Sequence, residues 1–215
     1  MSGVAQTGWS LTIPTEQMNA DILKGLPARE GHFLLESGYH TDLWLTLDAL
    51  SVSPHDIAPL IRTLAARLRP HDVSGVCGPL VGGAFLAQAL ATELDVDFYF
   101  TAPAASGAAP GLFGAEYRMA AELQQRVRGR RIALVDDVIS AGSSVRATAA
   151  AVAAAGGSTA VVGTLLVLGT IALEHFAGLA IPVESLAQRH FSLWEPSACP
   201  LCGTGMTLED PLRPQ

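Results

Sequence analysis

The sequence predicts an α/β fold, with a doubly wound, mainly parallel sheet at its centre. Two observations carry this prediction: segments of strand and helix character alternate along most of the chain, and loops rich in glycine and hydroxyl residues separate them. Alternation of this kind is typical of βαβ units, whose strands lie parallel in one sheet. The 215 residues fit one domain with a short appendage, so we expect a single domain over 1–195 and a tail over 196–215.

The first predicted elements precede the main sheet. The segment 14–26 reads as a short amphipathic helix, because Met18, Ile22 and Leu26 share one face. The segments 32–35 and 43–45 alternate around Ser37-Gly38 and predict a hairpin. Further along, apolar periodicity and glycine or proline stops predict helices over 54–69, 82–94 and 143–155, and strands over 73–77, 96–101, 131–135, 160–168 and 181–186.

Composition excludes several classes of protein. A hydrophobic content of 49% excludes global disorder, and a net charge of −7 argues against nucleic acid held by a general basic field. Residues 147–173 carry no charge, but Gly156-Gly157 divides them, so we expect a helix followed by a buried strand rather than a membrane span. Three cysteines make no disulfide framework and no signal segment opens the chain, so we expect a cytoplasmic protein.

The strongest motif runs from 131 to 144. Five residues of a buried strand end in Asp136-Asp137, and the small residues of 140–144 lead into a helix. Ligands in open α/β sheets bind at the carboxyl ends of strands, and a helix N-terminus suits a phosphate. The two carboxylates suit the vicinal hydroxyls of a ribose, directly or through Mg²⁺. The structural alternative is a strand-to-helix turn capped by Asp and Ser.

This motif resembles the signature of the type I phosphoribosyltransferases, and two more segments resemble the orotate phosphoribosyltransferase branch. Residues 33–43 resemble that branch's N-terminal hood, which folds over the base, and residues 77–84 resemble the family's diphosphate loop. The resemblance covers roughly residues 20–170 and implies a hood over about 20–48 and a core over about 54–170. It also implies the substrate 5-phosphoribosyl 1-diphosphate, Mg²⁺ as its companion, a nitrogenous base as second substrate, and a homodimer.

The resemblance also implies a role for each matched residue. Asp136 and Asp137 match the pair that holds the ribose hydroxyls. The 5-phosphate loop is matched by Ser140, Ala141, Gly142, Ser143 and Ser144, and the diphosphate loop by Gly78, Pro79, Leu80, Val81 and Gly82. The residues expected to cover the base are Phe33, Glu36, Ser37, Gly38 and His40, where His40 faces either the base or solvent.

Four departures from the orotate enzymes remove cations that hold anions. Val81 and Glu36 stand where those enzymes usually carry lysine, and Gly169-Thr170 stands where an arginine meets the base's carboxylate. The segment 102–115, at the place of their Lys-rich catalytic loop, contains no Lys, Arg or His. Arg118, just past this segment, is the expected catalytic substitute.

These departures leave two functions open. One is a Mg²⁺-dependent phosphoribosyltransferase that acts on orotate or on another base. The other is a non-catalytic sensor of 5-phosphoribosyl 1-diphosphate or of a nucleotide. The cation-free segment 102–115 favours the sensor, whereas the diphosphate loop favours the enzyme, since a sensor of monophosphates does not need one.

The tail contains a second motif, Cys199-Pro200-Leu201-Cys202, which resembles half of a zinc site. A structural site needs four ligands, so two are missing. His190 and Cys77 could supply them, or the same cysteine pair of a second chain could complete a Cys₄ site across a dimer. The alternative is a reduced pair that closes a C-terminal turn.

Overall fold

The central sheet has six strands, and all are parallel except one edge strand. The computed structural model describes residues 28–35, 37–45, 54–104 and 111–211. In chain order the strands are β3 (Gly75–Pro79), β4 (Asp97–Pro103), β5 (Tyr117–Arg118), β6 (Arg131–Ile139), β7 (Ser158–Leu168) and β8 (Val183–Arg189). Their order across the sheet is β5-β4-β3-β6-β7-β8, with β5 as the antiparallel edge strand. The predicted mainly parallel α/β sheet is confirmed.

Helices cover both faces of this sheet. They are α1 (Pro54–Leu68), α2 (Gly82–Leu94), α3 (Ala121–Val127), α4 (Ser143–Ala154), α5 (Ile171–Gly178) and the single turn α6 (Pro200–Gly203). Leu64 of α1 and Leu90 of α2 share one buried cluster, whereas Val152 of α4 and Phe176 of α5 belong to a second. Adjacent residues of β6 point alternately into the two clusters, as a strand buried on both faces requires.

The uncharged stretch 147–173 divides as the sequence predicts. It contains the end of α4, the whole of β7 and the first residues of α5, with the turn at Gly156 between the first two. Within the part of the chain that the structure describes, no helix has both the length and the apolar character needed to cross a bilayer.

A second, smaller sheet carries the predicted hairpin. Strand β1 (Ala28–Leu34) pairs with β2 (His40–Leu45), and β2 pairs with β9 (Leu193–Trp194) from the C-terminal part, all antiparallel. Glu209 extends the contact, because the backbone of Glu209 exchanges hydrogen bonds with His32 and Leu34. The sequence did not predict that the tail joins the hairpin.

Several boundaries differ from the prediction. The sequence did not predict α3 and α5, because α3 is short and mostly polar and α5 follows directly on an apolar strand without a proline or charge boundary. The strand β6 continues through Asp136 and Asp137 to Ile139 and does not end before them, because its pairing with β7 continues to Val167. The predicted helix 14–26 lies outside the described residues.

Candidate functional site

The candidate site lies where the strand order of the main sheet reverses. From the central strand β3 the chain continues through α2 to β4 on one side, whereas β6 lies on the other side and leads on to β7 and β8. The carboxyl ends of β3 and β6 are therefore neighbours, and the loops that follow them diverge. Such a switch point is where open α/β sheets bind ligands.

The acidic pair lies at this point on β6. Asp136 is only 8% exposed, and the Ser144 hydroxyl donates a 2.7 Å hydrogen bond to its Oδ2. The Asp137 carboxylate accepts a hydrogen bond from the Val138 N–H at 2.9 Å. Burial, and then the neighbouring charge of Asp137, raise the pKa of Asp136 well above its usual range, and the Ser144 hydrogen bond opposes this rise. Burial and the neighbouring negative charge make an ionised carboxylate unfavourable at this position, which indicates that Asp136 has a function beyond turn capping.

The loop after β3 packs directly against the two carboxylates. A Cβ on Gly82 would lie 2.5 Å from Asp137 Oδ2, and one on Gly83 would lie 2.7 Å from Asp136 Oδ1. Only glycine permits this approach of backbone to carboxylate. Between the strand and the helix, Leu80 and Val81 are exposed, and the peptide bond that joins them is cis. The predicted diphosphate loop and the acidic pair thus form one continuous surface.

The predicted 5-phosphate loop borders the other side of the pair. Gly142 has a φ of +79°, and α4 begins at the next residue. The first turn of α4 directs backbone N–H groups toward the loop, as every helix N-terminus does. Ser144 belongs to this turn and also binds Asp136, so it fixes the acidic pair relative to the loop. The arrangement can hold a phosphate on one side of a sugar whose hydroxyls contact the carboxylates.

The end of the cation-free segment docks on α4. The Ser143 hydroxyl donates a hydrogen bond to the Leu112 carbonyl, and the Arg146 guanidinium lies 3.8 Å from the centre of the Phe113 ring. Residues 105–110 lie outside the described residues. Arg146 is a cation within one turn of the 5-phosphate loop that the sequence analysis did not single out. Arg146 is the fourth residue of the predicted helix 143–155, and this position could have indicated a cation near the predicted 5-phosphate loop.

A cavity of about 270 Å³ opens beside the 5-phosphate loop. Its described lining comes from Ser140 and Ala141, from residues 168–171 at and after the end of β7, and from His190, Phe191 and Leu193 at the approach to β9 and its start. None of these lining residues is Asp, Glu, Lys or Arg, and His190 is the one with a titratable side chain. Gly169 and Thr170, which carry no charge, line the cavity at the position where the resemblance to the orotate branch implies an arginine.

The described residues that were expected to cover the base lie on the hairpin of the small sheet, and their contact with a base stays a prediction. Phe33 is 1% exposed and packs against Trp44, so it belongs to the interior of the small sheet. Ser37 and Gly38 form the hairpin turn, and Glu36 lies outside the described residues. His40 is buried and its Nδ1 lies 3.4 Å from the Cys202 sulfur, a position not among those considered for it. The contact of His40 with the base stays a prediction.

Arg118 lies on the edge strand β5. Its guanidinium binds the Glu116 carboxylate through two N–H groups, at 3.1 and 2.9 Å, and both side chains are exposed. Three strand spacings, about 14 Å, separate β5 from β6 across the sheet. The catalytic role expected of Arg118 stays a prediction, one that requires its guanidinium to leave Glu116.

The cysteine motif of the tail does meet two further metal-ligating side chains, but they are neither His190 nor Cys77. The donor atoms of His32, His40, Cys199 and Cys202 all lie within 4.8 Å of one another. His190 lines the cavity, and Cys77 is buried within β3, where burial raises the pKa of its thiol to about 12. The pairing of β2 with β9 brings the histidines to the tail, which the sequence alone did not reveal.

Comparison with known protein families identifies the main sheet and its loops. The model of the phosphoribosyl transferase domain matches residues 55–173, which is more than half of the chain. This match contains both predicted phosphate loops and the acidic pair. It excludes the hood and the tail.

Individual proteins extend the similarity beyond the matched domain. The orotate phosphoribosyltransferase of Caldanaerobacter subterraneus subsp. tengcongensis is 28% identical over 182 residues, covering 85% of this chain and 88% of the relative. That of Thermotoga maritima is 27% identical over 185 residues, covering 85% and 90%.

Solved structures show the same fold. An adenine phosphoribosyltransferase from Rhodothermus marinus superposes with a TM-score of 0.64 at 19% identity, covering 81% of this chain and 99% of that one. The orotate phosphoribosyltransferase of Mycobacterium tuberculosis in complex with inorganic phosphate gives 0.59 at 22% identity, covering 82% and 96%. The two neighbours act on different bases by name, so the fold leaves the base undetermined.

Proposed function

Because the chain belongs to the phosphoribosyl transferase family, we propose that it transfers the phosphoribosyl group of 5-phosphoribosyl 1-diphosphate to a nitrogenous base that carries no carboxylate. The observation that carries this proposal is the acidic pair between the two predicted phosphate loops at the switch point of the sheet. Asp136 binds Ser144 of one loop, and Gly82 of the other loop packs on Asp137. One sugar with a phosphate at each end would contact the acidic pair and both loops together.

Each part of the site receives one part of the substrate. The hydroxyls of the ribose donate hydrogen bonds to the carboxylates of Asp136 and Asp137. The backbone N–H groups of 140–144 bind the 5-phosphate, whereas the Ser143 and Ser144 hydroxyls keep their protons on the Leu112 carbonyl and on Asp136. The backbone of 78–82 binds the diphosphate, which explains how the loop functions with Val81 in place of a lysine. Backbone donors hold a phosphate without a side-chain cation.

Magnesium fits this donor set. The carboxylate oxygens of Asp136 and Asp137 are hard oxygen donors, and the glycines beside them leave room that any side chain would fill. When bound with the substrate, Mg²⁺ neutralises charge on the diphosphate. The carboxylates orient the ribose and would hold the ion if it binds together with the substrate.

The reaction exchanges one bond for another at the anomeric carbon. A ring nitrogen of the base forms the new bond as the bond to diphosphate breaks, the electron pair leaves with the diphosphate, and the nitrogen's proton passes to water. Negative charge grows on the leaving group, where a preorganised donor can contribute about 3–4 kcal/mol. Arg146 lies in the first turn of the helix that follows the predicted 5-phosphate loop, so we infer that it adds positive charge on the 5-phosphate side of the site.

The cavity beside the 5-phosphate loop supports a base without a carboxylate. Its described lining offers apolar contact from Leu168, Phe191 and Leu193, and hydrogen bonding from Thr170 and His190, but no Lys or Arg for an anionic base. A carboxylate buried there without a counter-charge would cost several kcal/mol. We therefore infer that orotate is a poorer substrate than an uncharged base of the same size.

The experiment compares bases that differ in this one group. Diphosphate release is measured with Mg²⁺, 5-phosphoribosyl 1-diphosphate and either orotate or uracil, followed by the common purines and pyridines, with Asp136→Asn/Asp137→Asn as the inactive control. We expect faster release with at least one uncharged base than with orotate. Release with orotate alone contradicts the inferred base. Tight binding of the diphosphate substrate without release from any base favours the sensor, as the cation-free segment 102–115 would suggest.

We also infer a homodimer. Leu80, Val81 and Phe85 project large apolar side chains into solvent around the diphosphate loop, and Val81 is 65% exposed. Apolar side chains grouped at such a loop are typical of a surface covered in an assembly. Light scattering coupled to size exclusion is expected to give twice the chain mass, and Val81→Asp/Phe85→Asp to give the single-chain mass.

A further inference from the structure

A cluster of four side chains lies away from the phosphate loops, between the hood and the tail. The Cys₂His₂ cluster consists of His32 on β1, His40 on β2, Cys199 just before α6 and Cys202 within α6. His32 and Cys199 are 167 residues apart in sequence. Three of the four side chains are buried, and Cys202 lies at the surface. The matched family domain, residues 55–173, contains none of them.

Four of the six distances between donor atoms of the cluster are close to the edges of a zinc tetrahedron. Bond lengths of about 2.0–2.1 Å to nitrogen and about 2.3 Å to sulfur place two nitrogens about 3.3 Å apart and a nitrogen about 3.6 Å from a sulfur. His32 Nε2 lies 3.0 Å from His40 Nδ1 and 3.4 Å from the Cys199 sulfur. The Cys202 sulfur lies 3.7 Å from His32 Nε2 and 3.4 Å from His40 Nδ1.

Ordinary hydrogen bonding does not account for this convergence. The other ring nitrogen of His32, Nδ1, lies 3.0 Å from the Met206 carbonyl oxygen, which can only accept, so Nδ1 carries the proton. The Nε2 atom then has one lone pair and no hydrogen, yet three potential ligand atoms surround it within 3.7 Å. One lone pair accepts one good hydrogen bond, whereas a cation at the centre uses the lone pairs of all four donor atoms.

The contact between His32 and Met206 also has the form found around metal ligands. A ligating histidine commonly donates its second N–H to a backbone carbonyl, which fixes the ring orientation and directs the other nitrogen at the metal. Two thiolates and two neutral imidazoles around a divalent cation sum to zero charge, which suits a mostly buried site. Four protein ligands leave no open position, so such a site is structural rather than catalytic.

We propose that the chain binds one Zn²⁺ through His32, His40, Cys199 and Cys202, and that this ion fastens the C-terminal tail to the hood. The small sheet has only three strands, and β9 contributes two residues to it. A sheet of this size is weak without further support. His40 pairs with Trp194, next to Leu193 in the wall of the cavity, so the ion stabilises the element that forms this wall.

Metal content of the purified full-length chain is the first test. The protein is purified without chelators or metal-affinity resin, and zinc is quantified by elemental analysis. We expect about one zinc per chain in the wild type and below about 0.2 in Cys199→Ser/Cys202→Ser. The control Cys77→Ala removes the third cysteine, which lies outside the cluster, and keeps its zinc. Less than about 0.2 zinc in the wild type, or equal zinc in the double variant, overturns the proposal.

A measurement on the wild type alone covers the case in which the variant does not fold. The chain is stripped with a chelator and titrated with Co²⁺, and we expect saturation at one equivalent with the intense visible bands of tetrahedral cobalt and a thiolate charge-transfer band. The weak spectrum of octahedral cobalt overturns the proposal. So does a Cys199–Cys202 disulfide, which would lower the mass by two hydrogens and leave both thiols unreactive after chelation.

Discussion

Replacing Gly82 by alanine separates the chemistry of the site from the stability of the fold. The new Cβ would lie 2.5 Å from Asp137 Oδ2, and Cβ atoms do not approach a neighbour closer than 3.0 Å, so this oxygen must move by at least 0.5 Å. The contact is with the end of a side chain, so the carboxylate can rotate away at little cost to folding. A hydrogen bond to a charged group that is lost in this way costs about 1.5–3 kcal/mol, about 10- to 150-fold in Kd.

Calorimetric titration with 5-phosphoribosyl 1-diphosphate and Mg²⁺ measures this effect directly. We expect the Kd of Gly82→Ala to rise by at least about tenfold, while its melting temperature stays within about 2–4 °C of the wild type, which corresponds to about 1 kcal/mol for a chain of this size. Gly178→Ala is the matched control. An added Cβ there meets nothing within 4 Å, so both affinity and stability should be maintained.

Two results would refute this reasoning. An unchanged Kd in Gly82→Ala would mean that Asp137 does not contact the ligand. An equal loss of affinity in Gly178→Ala would mean that the assay reports general destabilisation rather than the geometry of the site.

Three further predictions concern the surroundings of the acidic pair. Because the native pKa of Asp136 lies above its unfolded value, the stability that Asp136 contributes is present below about pH 4 and is lost as pH rises through the native pKa. In denaturant titrations, the unfolding free energy of the wild type minus that of Asp136→Asn should therefore fall by up to about 1.4 kcal/mol per pH unit. A difference that stays constant with pH contradicts this. The hydroxyls of Thr101 and Thr148 are buried and lie 2.7 Å apart. Thr148→Val leaves the Thr101 hydroxyl without this partner and should lower the unfolding free energy by about 1–3 kcal/mol. Adding Thr101→Val should recover most of that loss, and additive losses would contradict the pairing. Phe113→Ala removes a cation–π contact with Arg146 worth about 0.5–1 kcal/mol. Amide hydrogen exchange at 111–114 should therefore accelerate about two- to fivefold. Unchanged exchange would mean that the Phe113 ring does not hold this segment on the helix.

Much of the main sheet was predictable because its signals are local. Helix α2 has the predicted bounds, since glycine at its start and Asp95 in a left-handed conformation just after its end punctuate an apolar run. The bounds of β6 were less predictable. Asp136 and Asp137 continue the strand because β7 pairs alongside, and a carboxylate in the sequence gives no sign of that pairing.

The hood shows the limit of this reasoning. His40 reads as a candidate for the base or for solvent when only its neighbours in sequence are considered. The structure buries it beside Cys202, because β2 pairs with β9 about 150 residues later. Arg118 was selected for its closeness in sequence to the cation-free segment, and Glu116, just before the same strand, already binds its guanidinium.

The sequence by itself predicted the alternation of strands and helices in the main sheet and singled out the acidic pair and the two loops beside it, since each is a contiguous run whose pattern and chemistry are set by neighbouring residues. Only the tertiary structure decided that Ser144 binds Asp136, that Gly82 packs on Asp137, and that two histidines of the hood meet two cysteines of the tail. These contacts depend on strand pairings between distant segments, and the pairings follow from burial of whole faces rather than from any local run of residues.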